Sequence, residues 1–153
     1  MRFLFMGDSV MGINFKVISV SSGESDVDVI AYTEGEVSFL YEGQRFLILK
    51  HCLLVEFAIE LVRWLEDAGK FEGAMLYYIS MDEEEEPLLS LTSSPLENDY
   101  EVGSCWLLSG FKKRISFKEA VSGARIYIEN LKTYFAREFD VDLDTVFQRV
   151  LSR

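Results

Sequence analysis

Asp82-Glu83-Glu84-Glu85-Glu86 is the densest run of titratable side chains in the chain. Carboxylates can hold calcium, but a calcium loop alternates its ligands and turns on a central glycine. This run has neither feature. Transition metals call for clustered imidazole or thiolate, and the chain has one histidine, His51, and two distant cysteines, Cys52 and Cys105. No metal and no cofactor is therefore expected. Consecutive like charges repel one another and stay solvated, so a plain hairpin loop explains the run simply. The functional reading is a docking site for a surface rich in lysine and arginine. Glu97, Asp99 and Glu101 fall in the next loop and strand start and extend the patch. The expected partner-binding set is thus Asp82, Glu83, Glu84, Glu85, Glu86, Glu97, Asp99 and Glu101. His51 has no second histidine and no carboxylate at a recognisable offset, so it is read as bordering a helix rather than as a general base. The cysteines fit no C-x-x-C pattern and sit beside apolar residues. They read as buried free thiols in a reducing compartment, with a single disulfide the alternative that spacing leaves open.

A second chemistry lies in Gly7-Asp8-Ser9-Val10, which follows the short apolar run Phe3–Met6. This resembles the first sequence block of the GDSL hydrolases. The resemblance implies Ser9 as a nucleophile, exposed where a strand turns into a helix. It covers about twelve residues and then stops. That family needs a late Asp-x-x-His pair, whereas Ile48 stands three residues before His51. It also needs Gly-x-Asn-Asp, whereas Asn98-Asp99 follows Leu96-Glu97. A serine without a base is a weak nucleophile, so the chain is not expected to be an enzyme.

The elements that would carry these residues follow from periodicity. Residues 13–20, 27–33 and 36–41 read as strands, with Glu34-Gly35 a tight turn between the second and third. Val37, Phe39 and Tyr41 alternate with Glu36 and Ser38, the period of a half-buried strand. Gly43 ends that strand, and Arg45 to Leu49 form another. From His51 to Ala68 the period becomes helical, with Glu56, Glu60, Arg63 and Asp67 on one face and Gly69 as the stop. Residues 74–80, 88–93 and 101–108 read as strands whose short connections favour hairpins. Tyr77, Tyr78 and Trp106 are read as core and sheet-surface residues, which exposure would turn into interface anchors. Ser116-Phe117-Lys118-Glu119 fits a capping box. The helix behind it places Phe117, Ala120, Val121, Ala124, Ile128, Leu131 and Phe135 on one face, with Gly123 inside. Asp140 or Asp142 caps a last helix. The expected fold is one α+β domain over residues 1–153. It has an antiparallel, meander-type sheet of about five to seven strands, with one central and two C-terminal helices packed mainly on one face.

Charge narrows the function. The 153 residues carry a net charge of −11. Residues 51–105 hold thirteen acidic and two basic side chains, while residues 106–153 hold six and nine. Such a balance excludes nucleic acid and anionic membrane as direct ligands, since both need a dominant basic surface. Lys112-Lys113-Arg114 is too small a cluster to change this. A basic protein partner is compatible, and so is acidity for solubility alone. The apolar fraction of 49% supplies a core without disulfide help. Its longest stretch, Phe46–Leu65, contains Lys50, His51, Glu56, Glu60 and Arg63, unlike a membrane span. Phe3–Met6 is too short for a signal peptide. The protein is read as cytoplasmic.

The plan resembles the small acidic immunity proteins of bacterial polymorphic-toxin and contact-dependent inhibition systems. Trp64-Leu65, Leu76–Asp82, Pro87–Leu91 and Ser104-Cys105-Trp106 carry the resemblance, about the middle third of the chain. It implies a non-enzymatic inhibitor that binds one cognate basic toxin, such as a nuclease, and blocks its active site or substrate channel. The alternative is a regulatory or accessory subunit that pairs through a sheet edge or an aromatic patch, homo-oligomers included.

Overall fold

A computed structural model describes residues 11–20, 26–79, 88–93, 98–104, 106–108 and 114–152. The chain begins with strand β1 (Met11–Ser19), helix α1 (Asp26–Tyr32), β2 (Glu34–Tyr41) and β3 (Gln44–Leu53). Helix α2 (Leu54–Lys70) follows, then β4 (Leu76–Tyr78), β5 (Leu89–Ser93), β6 (Asp99–Gly103) and β7 (Arg114–Ser116). Helices α3 (Phe117–Phe139) and α4 (Leu143–Leu151) complete it. The class is α+β, and every strand pair is antiparallel. Among the described residues, seven strands form two meanders rather than one, ordered β1-β2-β3 and β4-β5-β6-β7. The 17-residue helix α2 separates them in sequence. They are stitched by one bridge, Leu47 to Leu107, and by Leu108 N–H donating to the Phe46 carbonyl at 2.8 Å.

Local chemistry explains most boundaries. In β2, Val37 and Phe39 are buried between half-buried neighbours, as alternation requires. Glu42 and Gly43 both have positive φ, 53° and 80°, the twist that a two-residue hairpin turn needs. Ser116 caps α3: its Oγ accepts from Glu119 N–H at 3.1 Å, and Glu119 Oε1 accepts from Ser116 N–H at 3.0 Å. Asp142 caps α4, while Asp140 takes the left-handed conformation that ends α3. Gly123 has a packing reason. A Cβ there would lie 2.4 Å from the Met11 carbonyl oxygen, so glycine lets α3 press onto β1.

Several expectations are corrected. Residues 27–32 are a helix, not a strand, and Thr33 follows its end. Val29, Ile30 and Thr33 share one helical face, the first two against the core and Thr33 buried, with its hydroxyl bonded to the Val29 carbonyl at 2.6 Å. Tertiary packing overrides the β-branched composition. Glu34-Gly35 is no turn but the start of β2, paired with Leu53 and Cys52. That pairing keeps residues 51–53 in β3, so α2 starts three residues later than periodicity suggests. Gly69 lies inside α2, which runs to Lys70 and ends on an extended Phe71. β4 is shorter than 74–80, and β6 begins at Asp99 and ends at Gly103.

The core joins both sheets to α2 and α3. Its aromatic residues satisfy their polar ends, which buried hydroxyls and indoles require. Trp64 Nε1 and the Tyr100 hydroxyl both donate to the Ala74 carbonyl, at 2.7 and 2.6 Å. Tyr127 donates to the Leu54 carbonyl at 2.9 Å, and Tyr78 donates to Glu56 Oε1 at 2.9 Å. Ala74 and Tyr78 are thereby anchored, which fixes where β4 presents its other face.

Candidate partner-binding face

Along β4 the inward side chains are Leu76 and Tyr78, both buried. The alternate positions point outward and are apolar too. Met75 is 50% exposed, Tyr77 54% and Ile79 56%. Large apolar side chains so open to water in one row are unusual for a strand. The Tyr77 hydroxyl donates to Met75 Sδ at 3.8 Å, so the row is ordered along the strand. Its neighbours across the sheet are small: Tyr77 pairs with Ser90, and Ser90 with Gly103. A Cβ on Gly103 would lie 2.5 Å from Ser90 Oγ, so the serine lies over the glycine. The phenol therefore stands above a low shelf. Trp106, three residues past Gly103, is 49% exposed.

The next row is charged. Thr92 pairs with Glu101, and Glu101 with Arg114. Arg114 Nη2 lies 3.1 Å from Asp99 Oδ1, and Nη1 lies 3.7 Å from Glu101 Oε1. Of the expected binding residues, the structure thus brings Asp99 and Glu101 together on this face and ties both to one cation. Three charges leave a net of one negative, less than two bare carboxylates would offer. Asp82, Glu83, Glu84, Glu85, Glu86 and Glu97 lie outside the described residues, as do Ser9, Cys105, Lys112 and Lys113. The described chain leaves off at Ile79 and resumes at Leu88, whose N–H donates to the Tyr78 carbonyl at 2.7 Å. From Phe71 to Phe111 the sequence has nine acidic residues and no basic one. β4, β5 and β6 all fall inside that stretch.

Other polar groups serve the fold. His51 is exposed and its Nδ1 lies 2.9 Å from Glu34 Oε1, a carboxylate brought to it by the β2–β3 pairing. Sequence offset gave no sign of this partner. Cys52 is a free, buried thiol with Sγ 3.7 Å from the Tyr78 hydroxyl. Burial pushes its pKa from 9.0 up to about 12, so it is a poor nucleophile. Burial pushes the Tyr78 phenol up as well, as do Cys52 and Glu56 beside it. Lys132 clamps α3 to α4 through Glu129 at 2.8 Å and Asp144 at 3.0 Å, and these hydrogen bonds raise its pKa. Between α2, α3 and α4 lies a groove of about 520 Å³ floored by Val62, Leu65, Ile128 and Phe147. Among the described residues no cluster of three or more His, Cys, Asp or Glu side chains could hold a metal ion, and no helix is long and apolar enough to cross a membrane.

Met75, Tyr77 and Ile79 were missing from the sequence-derived set. Residues 74–79 are apolar throughout, so alternation could not say which face is outward. The available signal was the excess: a sheet with one solvated face leaves alternate positions polar, and here they are not. No curated protein and no solved structure matches the chain. A family described as a domain of unknown function, DUF7878, matches residues 13–137, from β1 almost to the end of α3. The chain belongs to the DUF7878 family.

Proposed function

We propose that the chain is a non-enzymatic protein-binding domain of the immunity kind, acting in the cytoplasm on one basic toxin. The outer face of the β4–β7 sheet is the binding surface. One observation carries this reading: Met75, Tyr77 and Ile79 stand half-exposed in a row within a stretch that has no positive charge. Interfaces concentrate their energy in a few aromatic and apolar anchors. Their acidic surroundings add steering toward a basic cleft and make association sensitive to salt. A toxin that acts on RNA or DNA has such a cleft, and a negatively charged face laid over it competes with the substrate.

The test is affinity capture with the tagged chain and with Tyr77→Asp, followed by an activity assay on what is captured. One stoichiometric basic protein, weakened by salt, lost with Tyr77→Asp and inhibited by the wild-type chain, is the expected result. A captured protein whose activity the chain leaves unchanged overturns the immunity reading. Equal capture by Tyr77→Asp removes this face from it.

A further inference from the structure

We propose that β4 is an acceptor strand, whose edge away from β5, unpaired among the described residues, takes an extended segment of a basic partner protein as an added strand. The inference rests on the reading of this face as the partner surface and states how the partner is held.

The backbone geometry supplies the first argument. Among the described residues β4 pairs with β5 alone. The Tyr78 carbonyl accepts from Leu88 N–H, so the Tyr78 backbone is turned toward β5. Backbone groups alternate sides along a strand. The N–H and C=O of Tyr77 are therefore turned the other way, toward the free edge, and Met75 and Ile79 share its parity. An incoming strand finds these donors and acceptors in line. Beside them stand the Met75, Tyr77 and Ile79 side chains, which it can cover with alternate residues of its own.

The second argument is what the edge lacks. Proteins protect exposed edges with lysine, proline or inward-pointing charge. Ala74–Ile79 contains no charge and no proline. An edge so open is kept for pairing or risks aggregation.

Charge selects the occupant. A second copy would bring β4 against β4, each in a stretch of nine acidic and no basic residues, on chains of net charge −11. Like charges laid side by side oppose that pairing. A segment alternating apolar residues with lysine or arginine matches both the apolar row and the net negative charge of the chain.

The experiment uses the whole chain, with backbone amides followed by NMR and hydrogen exchange. The probes are a short peptide alternating valine and lysine, the same peptide with alternate amides N-methylated, and a valine–glutamate counterpart. Strand addition predicts that saturating valine–lysine peptide slows exchange of the Tyr77 amide roughly tenfold or more. Methylating the amides that face β4 weakens binding roughly tenfold or more, because the backbone bonds are lost. The glutamate peptide binds more weakly still. Shifts of the Met75 and Tyr77 side-chain signals without amide protection overturn strand addition and leave the face itself as a binding surface. Protection that grows with chain concentration in the absence of peptide makes a second copy the occupant and overturns it too. Silence with all peptides at roughly millimolar concentration also overturns it, and the proposed function then stands or falls on the capture experiment.

Discussion

Replacing Gly123 by alanine inverts the usual effect of that substitution. In a helix interior, glycine to alanine gains about 1 kcal/mol from backbone entropy. At Gly123 the new Cβ would meet the Met11 carbonyl oxygen at 2.4 Å and the Met11 methyl group at 3.2 Å. The methyl group can move, but the carbonyl belongs to the backbone of β1. A contact that short must open by roughly 1 Å, which shifts α3 off the strand it packs along. Overpacking of this kind costs about 1–3 kcal/mol and occasionally more. Because the atom met is backbone, the upper part of that range, about 2–3 kcal/mol, applies; less the helix gain, the net is a loss of about 1–2 kcal/mol, or a melting temperature lower by about 2–8 °C for a chain of this size. Gly69→Ala is the internal control. It lies in the last turn of α2 with nothing within 4 Å of the added Cβ. Only the propensity gain remains, about 0.5 kcal/mol near a helix end. Thermal unfolding by circular dichroism compares the two. Opposite signs support the close approach of α3 to β1. A Gly123→Ala protein as stable as wild type, or more so, refutes it.

Three further outcomes are expected. The Cys52 pKa is raised on folding from 9.0 to about 12, so its contribution is complete below pH 9 and declines as the unfolded chain ionises first. Tyr78 and Tyr127, raised above 10.0, act with the same sign at higher pH. The unfolding free energy read from denaturant titrations should fall as pH rises from about 9 toward 12, by up to about 1.4 kcal/mol per pH unit per group; a constant value would contradict the burial of these groups. Ser116→Ala should cost about 1 kcal/mol through the lost cap while Ser116→Asp costs little, as read by urea unfolding. Tyr77→Asp should leave the melting temperature within about 1–2 °C of wild type, since exposed positions contribute little to stability; a large drop would mean that Tyr77 is buried by parts of the chain outside the described residues.

What the sequence disclosed was what local chemistry decides. The alternation of Val37 and Phe39, the turn at Gly43, the capping box at Ser116 and the buried face of α3 are all set within a few residues, and each was legible. Contacts distant in sequence were not. Residues 27–32 form a helix because Val29, Ile30 and the following Thr33 meet the rest of the protein, which their β-branched composition cannot report. Residues 51–53 stayed in β3 because Glu34 and Gly35 lie opposite them. The break into two sheets followed from α2, whose place between two meanders gives no local signal. Of the acidic set, Asp99 and Glu101 fall on the outer face of the β4–β7 sheet, and no local signal disclosed their pairing with Arg114, fifteen residues away for Asp99. The apolar row on β4 was hidden by its own uniformity.

Hydrogen exchange of the chain, free and saturated with the protein captured by it, measures the central claim most directly. The account predicts slowed exchange concentrated at residues 75–79 and 99–103, with the groove between α2, α3 and α4 unchanged. Protection confined to that groove, or to the outer face of the β1–β3 sheet, would contradict it.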